Sequence, residues 1–125
     1  MASKKGIALS FAALEVNDLE ASKDFYEKVL GFEAALATRP DAVIMKMDDD
    51  GASFAIKNRT PTTEGAQRLG AGVAIWFRCP NVDELEARVK ESDGSVVLPA
   101  QEGPFGRMLV VNDIDGHTLT FHNAE

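Results

Sequence analysis

Residues 48–58 read DDDGASFAIKN, and residues 113–123 read DIDGHTLTFHN. Both place Asp-x-Asp-Gly ahead of a run of alternating side chains that closes on Asn. An acidic stretch ending in glycine raises the question of calcium. A calcium loop of the EF-hand type needs spaced oxygen ligands before its glycine and a Glu six residues after it. Six residues after the two glycines stand Lys57 and His122, and five before them stand Lys46 and Val111. Neither copy qualifies at either end. The other reading is a hairpin. Asp-Gly is a strong turn signal, because glycine enters positive φ at little cost. The sequence predicts turns at Asp50-Gly51 and Asp115-Gly116, each followed by a strand.

The repeat extends outward from these turns. NDLEA at 17–21 is echoed by NVDELEA at 81–87, and Gly31 is echoed by Gly94. The offsets are 64 (Asn17 to Asn81), 63 (Gly31 to Gly94) and 65 (Asp48 to Asp113). A near-constant spacing across three landmarks indicates an internal duplication. Each half opens on a strand, at 8–16 and 72–79. A helix follows, with Asn17-x-x-Glu20 and Asn81-x-x-Glu84 as starts of the capping-box type. Leu19, Tyr26, Val29 and Leu30 can share one face of the first helix, and Val82, Leu85 and Val89 one face of the second. Gly31 and Gly94 stand where left-handed C-caps belong. Three shorter strands complete each half, at about 32–38, 42–47 and 52–58, then about 95–98, 107–112 and 117–123.

The expected fold class is therefore α+β, with two tandem βαβββ modules forming a curved mixed sheet and helices outside. The layout is an N-terminal tail at 1–6, a first module at 7–58, a linker at 59–71 and a second module at 72–125. The Pro-, Gly- and Thr-rich segment 58–72 connects the modules. PAQEGPFG, at 99–106, reads as a loop inserted in the second.

Bulk properties narrow the function. The 125 residues are 45% apolar and 26% charged, enough for a real core in one compact domain. A net charge of −7 argues against nucleic acid and anionic membranes as partners. No apolar run approaches the roughly 20 residues of a membrane helix. MASKKG lacks the apolar segment of a signal peptide, and the single cysteine, Cys79, suits a reducing cytoplasm. A cytoplasmic location is the expectation.

Strand alternation separates a helix-covered face from an opposite, trough-forming face. Phe11, Ala13 and Glu15, then Ser53, Ala55 and Lys57, fall on the trough side. So do Ala74, Trp76 and Arg78, then Thr118, Thr120 and His122. Small, aromatic and weakly polar side chains are a lining suited to an organic ligand, although a dimer interface has a similar composition. His117 follows a turn and is expected to be solvated. Cys79 is expected on the core face and inert.

The duplicated βαβββ layout, together with LEVNDLEASKDFYEKVLGFE, WFRCPNVDELEARV and DIDGHTLTF, resembles the glyoxalase / bleomycin-resistance / extradiol-dioxygenase (vicinal-oxygen-chelate) superfamily. That resemblance implies a divalent metal held by His and Glu side chains in the enzymes of the group. The corresponding positions here are Phe11, Ala55, Ala74 and Thr120. Phe and Ala carry no donor atom and a neutral Thr hydroxyl is a weak ligand. The expectation is no metal, no cofactor and no catalytic residue. An atypical metal site around His122, with Glu15 and Glu102, is the remaining route to a glyoxalase-like lyase, isomerase or dioxygenase.

EGPFGRMLVVNDIDGHTLTF is similar to the bleomycin-resistance type. Those proteins are homodimers that sequester a flat cationic drug by stacking and by carboxylate attraction. The implied ligand-binding set is Phe11, Glu15, Lys57, Trp76, Arg78, Glu102, Phe105, Thr120 and His122. Phe105 and Trp76 are the stacking candidates, and Glu15 and Glu102 the acidic ones. Lys57 and Arg78 would repel a cation, and so favour an anionic ligand or a position at the rim.

Overall fold

The computed structural model describes residues 6–35, 39–48, 52–104 and 106–123. In chain order the elements are β1 (Phe11–Val16), α1 (Leu19–Asp24), β2 (Ala42–Met45), β3 (Ser53–Asn58), β4 (Ala74–Arg78), α2 (Val82–Lys90), β5 (Ser95–Gly103), β6 (Gly106–Asn112) and β7 (Thr118–His122). A single turn of 3-10 helix, Pro61–Thr63, lies between the modules.

The internal repeat is visible in the topology. In the first module the strand order is β1-β3-β2, and in the second β4-β7-β6-β5. The opening strand of each module lies parallel to its last, with Ala13 opposite Ala55 and Trp76 opposite Thr120. The remaining pairings are antiparallel. The fold is the expected α+β class with two modules, but each module forms its own mixed sheet where one curved sheet was expected. The strand expected at 32–38 is reduced to one bridge, Ala34 to Met45, flanked by hydrogen bonds from Ala35 N to Ile44 O and from Lys46 N to Glu33 O. Residues 36–38 are outside the described range. Segment 99–106, expected as a loop, is instead mostly strand. β5 runs to Gly103 and pairs with β6, with two register irregularities along the way.

The helices differ in detail from their sequence signals. Asn81 caps α2 as expected, its side chain accepting from Glu84 N at 3.0 Å. In α1 the cap is Asp18, which accepts from Ala21 N at 3.1 Å. Asn17 is drawn away because its side chain donates to Asp115 at 2.8 Å. After α1 the chain continues as a π-helical stretch, Phe25–Leu30, ending at Gly31 in the left-handed region (φ +89°). Phe25 and Tyr26, adjacent in sequence, are both buried there.

Gly94 does not have the left-handed conformation expected of a C-cap. Its constraint is steric, since a Cβ would sit 2.6 Å from the Phe25 ring and 2.9 Å from Asn112 O. The second turn also differs from a two-residue Asp-Gly hairpin. Asp113 N donates to His117 O at 3.0 Å, leaving Ile114, Asp115 and Gly116 as the loop. Gly116 is the left-handed residue, at φ +96°. The first turn, Asp50-Gly51, lies outside the described residues.

One hydrophobic core joins both modules through their helix-covered faces. It includes Leu14, Val16, Tyr26, Leu30, Phe54 and Ile56 from the first half, and Val82, Leu85, Val89, Leu119 and Phe121 from the second. Phe77 lies edge-on to Phe54 (5.2 Å) and Phe32 (5.1 Å) and stacks on Phe121 (5.4 Å). Such ring pairs each add about 0.5–1.5 kcal/mol beyond burial of area. A buried polar contact crosses the same boundary, where Tyr26 donates its hydroxyl to Asp113 at 2.7 Å. Asp113 also accepts from the backbone N–H groups of Asp115 and His117. Burial and the adjacent carboxylate push the Tyr26 phenol well above its ordinary range.

Candidate functional site

The period-two alternation assigns the trough face as the sequence indicates. On β1, Leu14 and Val16 are buried whereas Phe11 and Ala13 are exposed. On β4, Ala74, Trp76 and Arg78 are exposed, while Ile75 and Phe77 pack against the core. Because residues opposite one another in register share a face, Trp76, Thr120, Val110 and Leu98 form one cross-sheet row. Arg78, His122, Met108 and Gln101 form the next. The Trp76 and His122 rings are 5.9 Å apart and tilted by 58°. Phe11 and Trp76 remain 50% and 45% exposed, unusually open for large apolar side chains on a sheet face.

The expected ligand set divides into two groups. Phe11, Glu15 and Lys57 lie on the first sheet, and Trp76, Arg78, Thr120 and His122 on the second. On the first sheet a hollow of about 230 Å³ is lined by Phe11, Ala13, Ile44, Ala55 and Lys57, with Arg39, Asp41 and Ala42 at its edge. Ile44 and the 39–42 segment were not anticipated as lining. The alternation of β2 would have placed Ala42 and Ile44 there, because they stand opposite Lys57 and Ala55. Thr120 is buried at 3% exposure beneath its neighbours, so its hydroxyl offers little to a ligand.

The two carboxylates expected to attract a cation are used otherwise. Glu15 accepts from Thr60 N (2.9 Å), Thr60 Oγ1 (2.6 Å), Thr62 Oγ1 (3.2 Å) and Thr63 Oγ1 (2.6 Å). These donors, Thr60 and Thr63 first, lower its pKa from 4.5 to about 2. Its charge therefore anchors the inter-module segment to the end of β1. Glu102 lies opposite Arg107, whose guanidinium forms a two-point pair with Asp83 at 2.7 and 2.9 Å. Asp83 belongs to α2, so Arg107 and Glu102 lie on the helix-covered side, not on the face that carries Trp76. Arg107 is thus a bolt between β6 and α2. Phe105 lies outside the described residues.

His117 corrects the expectation of a solvated side chain. It is 4% exposed, and its Nε2–H donates to the Glu15 backbone carbonyl at 2.9 Å. Its Nδ1 has no hydrogen-bond partner among the described residues. The turn that carries His117 is folded under the end of β1, which a turn signal in sequence cannot reveal. Cys79 is partly buried, and burial raises its thiol pKa, consistent with an inert side chain.

Among the described residues no three His, Cys, Asp or Glu side chains cluster closely enough to hold a metal ion. His122, Glu15 and Glu102, the group considered for an atypical site, are not brought together. Likewise no helix among the described residues is long and apolar enough to cross a membrane.

Paired βαβββ modules whose first and last strands run parallel, with an open face beyond a shared core, define a class of two-module sheet proteins. Over residues 8–121 the chain matches the Glyoxalase/Bleomycin resistance protein/Dioxygenase superfamily, and it belongs to that superfamily. No curated protein matches it in sequence. Its fold is similar to that of an antibiotic-binding protein, TnmS3, from a Streptomyces species (23% identity, TM-score 0.73, covering 98% of this chain and 100% of that one). It is also similar to a glyoxalase-related enzyme from Fulvimarina pelagi (23%, TM-score 0.72, covering 91% and 86%). A third likeness is to the bleomycin-binding protein of Streptomyces verticillus, solved with copper(II)-bleomycin (19%, TM-score 0.64, covering 96% and 98%).

Proposed function

We propose that this chain is a metal-independent small-molecule binding protein that acts as a homodimer in the cytoplasm. One observation carries the reading. The trough-side residues Phe11, Trp76 and Leu98 are about half exposed, and Phe11, Ala55, Ala74 and Thr120, where the resemblance to the family's metal enzymes would put their ligands, are poor donors. An open aromatic surface with no cluster of metal-ligating side chains among the described residues binds organic rings by stacking and burial, and has little to offer a metal-bound substrate. Ile7, Leu9 and Val73 are further exposed apolar side chains, which supports a second copy covering some of the exposed apolar surface. Sequestration of an antibiotic, in the manner of the bleomycin-binding relative, is the form of this function that the similar structures suggest. Of the two carboxylates expected to meet a cationic drug, however, Glu15 is engaged by Thr60 and Thr63, and Glu102 lies on the helix-covered side.

Metal analysis of freshly purified protein, paired with melting temperatures in the presence of planar organic compounds, tests the proposal. The expected result is far less than one transition metal per chain and an upward shift with at least one compound. Stoichiometric metal whose removal abolishes the shift would overturn it.

A further inference from the structure

Resting on the proposed small-molecule reading, the charge pattern of the hollow narrows the class of ligand. Its walls are apolar, supplied by Phe11, Ala13, Ile44 and Ala55, and Lys57 supplies a cation. Two carboxylates lie nearby, and both are committed. Glu15, directly opposite Lys57 across the β1–β3 pair, gives its oxygens to the Thr60–Thr63 donors. Asp41 pairs with Arg39 at 3.5 Å. The Lys57 side chain has no ion-pair or hydrogen-bond partner among the described residues. On the second sheet the trough-side cation, Arg78, reaches Asp48 only at 3.9 Å.

We infer that the hollow selects a planar apolar group bearing a carboxylate, which Lys57 holds while the ring lies against Phe11 and Ala13. A partly buried ammonium beside apolar walls gains most from an anion that shares its desolvated environment, and it repels a cation placed there. The volume, about 230 Å³, is below the roughly 300–1,000 Å³ of drug-sized sites. The hollow therefore suits one ring with a short acidic substituent.

Three probes of similar size and different charge test this on the full chain by titration calorimetry: benzoate, benzyl alcohol and benzylamine. Amide chemical shifts of Ala13 and Ala55 locate the probe. Benzoate is expected to bind saturably at the hollow and benzylamine not to bind. Lys57→Gln should weaken benzoate about five- to tenfold, as loss of one charge-assisted contact implies, and leave benzyl alcohol unchanged. Unaltered circular dichroism would show that the variant is folded. Benzylamine binding as tightly as benzoate, or equal benzoate affinity in Lys57→Gln, overturns the inference. If none of the probes shifts those amides while another organic compound still raises the melting temperature, the inference fails and the binding function stands. If no compound binds at all, both fail.

Discussion

Tyr26 shows how a single side chain can tie the modules together. Its hydroxyl is the donor to a carboxylate, Asp113, that is 4% exposed and also braces the 113–117 turn. Tyr26→Phe keeps the ring and leaves a buried carboxylate oxygen without its donor. Loss of about 1–3 kcal/mol in urea unfolding is expected, whereas a change under about 0.5 kcal/mol would show that water replaces the hydroxyl. Glu15 makes a prediction about pH. Its folded pKa is about 2 against an ordinary 4.5, so it stabilises the fold above the ordinary value. That contribution disappears as pH falls toward about 2. Melting temperatures of the wild type and Glu15→Gln should therefore differ most near neutrality and converge in acid. A constant gap across that range would contradict the threonine clasp.

At the scale of elements, the repeat itself was the most legible feature of the sequence. Hydrophobic spacing located both helices, and strand alternation sorted the two sheet faces. What escaped it were contacts between segments distant in the chain. Asn17 and Asn81 carry the same local signal, yet Asn17 is claimed by Asp115, 98 residues away, and Asp18 takes over the cap. Gly31 and Gly94 carry the same echo, yet one ends a helix in the left-handed region and the other makes room for Phe25. Gly94→Ala would press a methyl against that ring and against Asn112 O. A loss of about 1–3 kcal/mol is expected from such overpacking. An unchanged unfolding midpoint would show that Phe25 can move aside. The trough face was legible as a list of residues. The roles of its charges were not, because alternation gives the side a residue faces and not which donors reach it. Glu15 and Glu102 were each named for charge; Glu15 proves to be engaged by the Thr60–Thr63 donors, and Glu102 lies on the helix-covered side.

At the scale of the whole molecule, one aromatic core joins the helix-covered sides of the two sheets and leaves the opposite face of each uncovered, with Phe11 on the first sheet and Trp76 and Leu98 on the second. The proposed dimer would bury some of these exposed apolar side chains against a second copy. Sedimentation equilibrium is expected to give a dimer. Trp76→Glu, which places a charge on the face without disturbing the core, should shift it toward monomer. A monomeric wild type would remove the dimer from the account while leaving the hollow intact.

The central claim is that this face binds an organic ligand without a metal. Its most direct test is the melting temperature of EDTA-treated protein across planar organic compounds, including benzoate and metal-free bleomycin. The account predicts that at least one raises it, and that Phe11→Ala and Trp76→Ala together abolish the rise. No rise with any compound, or a rise that appears only after a divalent metal is restored, would contradict it.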